Sequence, residues 1–208
     1  MNITTKLEHK DQIVLALTII LVLFLGLLYY IQKRTPNIIN YPNNRTEIVA
    51  FGDSLIEGVG SSNNKGFIDD LEVILNTEIV NLGVSGNTTR DGLLRIDEIT
   101  DRNARIVLIS LGGNDFIQRI PEETVRKNLD KIVSKIQNDG AMVMVLGVPG
   151  YRGLYKDVSR DHQTAYVSNI LSGLIGKDKY MSDLIHPNDL GYRAVAEKIA
   201  PELKKFIE

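Results

Sequence analysis

A chain of 208 residues has room for one domain with a sizeable core, and a formal charge of −2 without a dense basic stripe argues against a nucleic-acid surface. Cysteine is absent, which excludes disulfides, thiol catalysis and Cys-ligated metals. The histidines are His9, His162 and His186, too few for a multi-histidine metal site and a short choice of catalytic base. No cofactor is implied by any of this.

Residues 13–31 read IVLALTIILVLFLGLLYYI, without a charge. As a helix this run spans about 28 Å at roughly 1.5 Å per residue, close to the ~30 Å hydrocarbon core of a bilayer. Tyr29 and Tyr30 fall where an interfacial aromatic belt lies, and Lys33 and Arg34 follow in the headgroup zone. The expectation is an uncleaved single-pass anchor after a tail at residues 1–12. Its rivals are a buried core helix and a cleavable signal peptide. A signal's apolar region is usually only roughly 7–15 residues, and no Ala-x-Ala cleavage site follows here. Lys6 and Lys10 balance Lys33, Arg34 and Arg45, so charge does not decide orientation. The short tail favours placing the part of the chain after this run outside the cytoplasm, in a bacterial periplasm or at the cell surface.

Residues 32–45, rich in Pro and Asn, read as a linker, and the globular domain is expected over 46–208. Four β-branched-rich runs read as strands buried on both faces: Glu47–Phe51, Thr77–Leu82, Arg105–Leu111 and Ala141–Gly147. Helical spacing lies between and after them. Phe67–Leu75 and Thr89–Ile99 are weak helices, while Val125, Leu129, Ile132, Val133 and Ile136 mark a stronger one that starts at Pro121 and ends at Asp139-Gly140. Tyr166 to Leu174 suggests a helix, Lys179–Ser182 a fifth strand, and Leu190–Phe206 the last helix. Strands alternating with helices imply βαβ units, hence a three-layer α/β/α sandwich around a mostly parallel sheet. Ligands bind beyond the carboxyl ends of such strands.

Several polar motifs fall just there. Phe51-Gly52-Asp53-Ser54-Leu55 offers a hydroxyl, and Asp183-Leu184-Ile185-His186-Pro187 a base with a carboxylate three residues earlier. A hydroxyl is a weak nucleophile at neutral pH unless a base takes its proton and a third group holds that base's tautomer. Asn114, in Gly112-Gly113-Asn114-Asp115, is a candidate donor to a developing oxyanion. Each has a plainer reading: Ser54 as a helix N-cap, Asn114 as a turn residue, Asp183 and His186 as a surface turn. His162 has no carboxylate at comparable spacing and reads as a surface residue.

Taken together, FGDSL, NLGVSGNTT at 81–89, SLGGND at 110–115 and DLIHPND at 183–189 resemble the four blocks of the SGNH hydrolases, also called GDSL esterases. Within that family the chain is most similar to the bacterial thioesterase/lysophospholipase/arylesterase group. The resemblance implies a flavodoxin-like sandwich and no metal. It implies Ser54 as nucleophile, His186 as base, Asp183 as its orienter, and an oxyanion hole made of the Ser54 and Gly86 backbone N–H groups and the Asn114 side chain. The expected activity is hydrolysis of carboxylic esters or thioesters, from small-molecule or lipid substrates. An O-acetyl esterase of envelope carbohydrate and a non-catalytic binding domain on the same fold are the alternatives.

Overall fold

The structure is a computed structural model that describes residues 9–34, 37–62 and 64–207, with side chains described over 10–27, 37–62 and 64–207. The expected tail lies outside the described residues up to residue 8, as do the side chains of Tyr29 and Tyr30. Two units are present, residues 1–37 and residues 38–208. The first contains helix α1, His9–Arg34. Its side chains from Ile13 to Leu27 are exposed, and by length and composition it is able to cross a membrane.

The second unit is built on five parallel strands in the order β2-β1-β3-β4-β5. They are β1 (Glu47–Gly52), β2 (Val80–Gly83), β3 (Ala104–Ser110), β4 (Met142–Leu146) and β5 (Ala165–Val167). Val49 to Phe51, Ile106 to Leu108 and all of β4 are almost wholly removed from solvent. Strands this apolar on both sides need a helical layer on each face. Helices α3 (Gly66–Leu75) and α9 (Asp189–Ile207) pack together on one, through Phe67, Leu71, Tyr192, Val195 and Ile199. On the other, α7 (Glu122–Asp139) packs with α4 (Thr89–Leu94), α5 (Asp97–Thr100) and α8 (Leu154–Asp161). Strand order reverses between β1 and β3, so the chain leaves these neighbours toward opposite sides. That divergence opens a crevice at their carboxyl ends.

Three expectations are corrected. Tyr166 to Leu174 is not a helix: β5 occupies Ala165–Val167, and turns follow, with Gly173 and Gly176 at positive φ. Lys179–Ser182 is not the fifth strand; Met181 makes only an isolated antiparallel bridge to Pro187. The expected linker is folded over its second half. Ile38 is buried in the core, Ile39 N–H donates to the Gln163 carbonyl, and the Asn40 amide caps the carbonyls of Gln137 and Ala141 at 2.7 and 3.0 Å. Asn43 Nδ2 donates to the Arg105 carbonyl, and Arg45 pairs with Asp139 at 2.6 Å. The asparagines that mark a loop supply amides to backbone carbonyls in the last turn of α7 and at the amino ends of β3 and β4.

A chain beginning at Thr46 is therefore expected to be less stable than one beginning at Asn37, by about 3 kcal/mol, counting one buried isoleucine and the lost hydrogen bonds. Urea unfolding of the two proteins measures this. Equal midpoints and slopes would mean that residues 38–45 contribute nothing to the fold.

Candidate active site

The site begins where β1 ends. Asp53 N–H still bonds to the Ser110 carbonyl of β3, and the Asp53 carboxylate then accepts Leu55 N–H at 3.0 Å, capping the one-turn helix α2 (Ser54–Glu57). The cap is thus Asp53, and Ser54 is the first helical residue. A cap of this kind fixes the start of a helix and with it the direction of the next side chain.

The partner of Ser54 comes from the far end of the chain. His186 Nε2 lies 2.9 Å from Ser54 Oγ, and Nδ1 lies 2.7 Å from Asp183 Oδ2. The other Asp183 oxygen accepts the backbone N–H groups of Ile185 and His186 at 2.8 and 2.7 Å. Ser182 N–H returns to the His186 carbonyl at 2.9 Å and closes the turn. Asn188 then starts α9, its side chain accepting Gly191 N–H. Tyr192 of α9 donates its hydroxyl to the Val59 carbonyl at 2.7 Å, fastening this end of the chain to the loop after α2. Gly60 lets that loop come close: a Cβ there would lie 2.6 Å from the Pro187 carbonyl and 3.1 Å from His186 Cβ.

Asn114 sits in the first turn of α6 (Gly113–Ile117), after β3. Its Nδ2 donates to the Asn87 carbonyl at 3.0 Å, and the second amide hydrogen has no protein partner among the described residues. Below it Asp115 is buried and accepts both the N–H and the hydroxyl of Thr89. Gly86 occupies the turn Val84–Asn87 at φ +80°, a left-handed conformation that favours glycine. No protein acceptor takes the backbone N–H of Ser54 or of Gly86 among the described residues.

Ser54, Asn114 and His186 open into a cleft of about 260 Å³ with a largely apolar wall: Phe116, Ile117, Val148, Leu171, Ile175 and Leu184. Gly86 is not among the lining residues; it stands in the adjoining turn that Asn114 touches. Leu171 and Ile175 are wall residues that sequence reasoning misses, because they lie in the stretch expected to be helix. The glycines at 173 and 176 were the signal for turns instead. His162 also departs from expectation, since its Nε2 lies 2.9 Å from Asp130 Oδ1; neither residue lines the cleft.

Two carboxyls of the site, Asp183 and Asp53, are shifted in opposite directions. Asp183 is partly desolvated, but the His186 ring and the two backbone N–H groups outweigh this and hold it down at about 2. Asp53 goes the other way. Burial pushes it from the ordinary 3.8 up to about 6, against the opposing pull of Leu55 N–H and His186, and with a further push from Asp115. Asp115 itself is held by Thr89. The described residues contain no cluster suited to a metal ion.

Residues 50–194 match the GDSL-like Lipase/Acylhydrolase family. The chain is 29% identical to an arylesterase of Vibrio mimicus over 179 residues, 77% of this chain and 90% of that protein. It is 28% identical to the esterase TesA of Pseudomonas aeruginosa, over 77% of this chain and 89% of the relative. A crystal structure of TesA superposes with a TM-score of 0.71 at 27% identity, covering 78% of this chain and all of that one, 100%.

Burial of Asp53 makes stability depend on pH. The folded carboxyl keeps its proton to about pH 6, whereas the unfolded one releases it near 3.8. The folded state binds more protons in that window, so this group's contribution is lost as pH rises from about 4 to about 6. Asn keeps the capping oxygen and never ionises. The unfolding free energy of Asp53→Asn minus that of the wild type is expected to grow across this window and level off above it, in urea titrations at stepped pH. A difference independent of pH would show that Asp53 is not desolvated.

Proposed function

The chain belongs to the GDSL-like lipase/acylhydrolase family and is an ester hydrolase, and on that premise we propose that it is a serine hydrolase working through Ser54, His186 and Asp183 by way of an acyl-enzyme. The observation that carries the reading is the unbroken line from Asp183 through His186 to Ser54, at 2.7 and 2.9 Å, at the mouth of an apolar cleft. Ser54 Oγ attacks the carbonyl carbon while its proton passes to His186 Nε2. Asp183, ionised at any neutral pH, keeps the Nδ1 proton in place and stabilises the imidazolium. The electron pair of the C=O bond moves onto oxygen, which receives the Ser54 and Gly86 N–H groups and the second Asn114 amide hydrogen. Collapse of this intermediate breaks the bond to the leaving alkoxide or thiolate, which takes the proton from Nε2. A water molecule then gives its proton to Nε2, attacks the acyl carbon, and Ser54 leaves with that proton. The apolar wall supports esters or thioesters with a hydrophobic acyl chain as substrates, fatty-acyl and lysophospholipid esters included.

Ser54→Ala is expected to lower kcat on the order of 10⁴-fold or more, with His186→Ala close to it and the double variant little worse, since the two act as a unit. Asn114→Ala is expected to lower kcat by roughly 10²–10³-fold with a small change in KM, because it meets charge present mainly in the transition state. Steady-state kinetics on p-nitrophenyl esters of graded chain length, with labelling by a serine-directed fluorophosphonate, measures all three. Labelling or wild-type turnover in Ser54→Ala would move the nucleophile elsewhere.

We infer also that α1 is retained as a membrane anchor and that the hydrolase domain lies outside the cytoplasm; the supporting observation is an exposed, uncharged apolar surface from Ile13 to Leu27. The native protein is expected in the carbonate-resistant membrane fraction. A mature N-terminus beginning after Tyr30 would identify the segment as a removed signal.

A further inference from the structure

One buried cation next to the site plays no part in the chemistry above. Arg95 follows α4, and its side chain is only 14% exposed. Its guanidinium lies over the Phe51 ring, 4.1 Å from the centroid. Nη2 donates to the Gly52 carbonyl at 2.8 Å and to the Leu82 carbonyl at 2.9 Å; Nη1 reaches Glu98 at 2.9 Å. Nε donates to Asn87 Oδ1 at 2.6 Å.

These acceptors are not scattered. Gly52 is the last residue of β1, next to Asp53 and Ser54. Leu82 is near the end of β2, just before the turn that carries Gly86. Asn87 closes that turn, and its carbonyl is the acceptor that holds the Asn114 amide. The same Gly52 carbonyl accepts Val84 N–H at 3.1 Å, and Glu57 of α2 accepts Ser85 N–H at 2.5 Å. One planar group with its donors in fixed directions thus meets two of the three segments that carry the oxyanion donors, the one leading into Ser54 and the one bearing Gly86, and the Asn87 carbonyl links the second of these to Asn114. A rigid fork is suited to this, whereas an ammonium on a flexible stem is not.

We propose that Arg95 is a positioning residue for the oxyanion site: through Asn87 it fixes the direction of the Asn114 amide, and through the Gly52 carbonyl it sets the turn bearing Ser54. The proposal rests on the reading of Asn114 as an oxyanion donor. With Asn114 Nδ2 held on one side by the Asn87 carbonyl, its second hydrogen can point in one direction only. Rotation of Asn87 would turn that hydrogen away from the developing charge. Donor geometry of this kind matters in the transition state more than in substrate binding, so kcat carries the effect.

Asn87→Ala removes the acceptor for Nε and leaves the other Arg95 contacts in place, which makes it the gentler probe. Its kcat on a short soluble ester is expected to fall about tenfold to a hundredfold with KM within about twofold, since small misplacement of a reacting group has effects of this size. Asn87→Asp, which keeps the acceptor, is expected to recover most of the loss. In an Asn114→Ala background, Asn87→Ala is expected to add less than about twofold, because the two act in series. Arg95→Lys, checked for folding by thermal unfolding, is expected to show the same kcat defect. Wild-type kcat in Asn87→Ala, or losses that multiply with Asn114→Ala, would overturn the positioning role alone. Wild-type kcat in Asn114→Ala would remove the oxyanion reading and the proposal with it.

Discussion

The strands β1, β3 and β4 carry no polar side chain that faces water along most of their length, and every other feature follows from covering them. Helices have to lie on both faces, so each connection runs over a face of the sheet from the carboxyl end of one strand to the amino end of the next. Polar residues are then confined to the strand ends. At the carboxyl ends these include Asp53-Ser54, Asn87 and Asn114-Asp115. At the amino ends they are Asn40, Asn43 and Arg45, whose work is to cap carbonyls. The same sheet therefore has a chemical end and a structural end, decided by which loop residues are left facing the crevice between β1 and β3.

How much of this was legible in the sequence depended on the length of each signal. Ile106 to Ile109 and Met142 to Leu146 are unbroken apolar runs, and both strands stand where they were expected. The 3.6-residue pattern of α7 was equally plain, with a proline before it and a glycine after. β5 was lost because three residues are too few to show a period of two, while Ile170, Leu171 and Leu174 happened to fit a helical one. Thr89–Ile99 shows the reverse error: its apolar spacing is real, but the chain breaks at Arg95 and Ile96 into α4 and α5. The linker was misread for a physical reason too. Asn and Pro lower the tendency to form regular elements, which says nothing about whether their amides find buried carbonyls to bond.

For the site, residue types at fixed local spacing were readable, and contacts through space were not. Asp183 and His186 are three residues apart, and Asp53 precedes Ser54 directly. By contrast Asn87, Arg95 and the Leu171–Ile175 wall take their meaning only from the fold. Asp53 is the sharpest case. In the sequence it is part of a motif; in the structure it is a carboxyl at 2% exposure beside another buried carboxyl, held there by the cap it makes. The fold tolerates this because the one-turn helix that presents Ser54 would otherwise start without a partner for Leu55 N–H.

The turn from Ser182 to His186 has a mechanical meaning. Asp183 and His186 share it, and it is closed by its own hydrogen bonds, so the two side chains have almost no freedom relative to each other. Of the two contacts in the line from Asp183 to Ser54, only one is a joint between separate bodies: the 2.9 Å contact that bridges 132 residues of chain. Disturbing the packing of α9 against the loop after α2 displaces Asp183 and His186 as one rigid part. The orienting pair then survives intact and out of reach, like a key lifted whole from its lock.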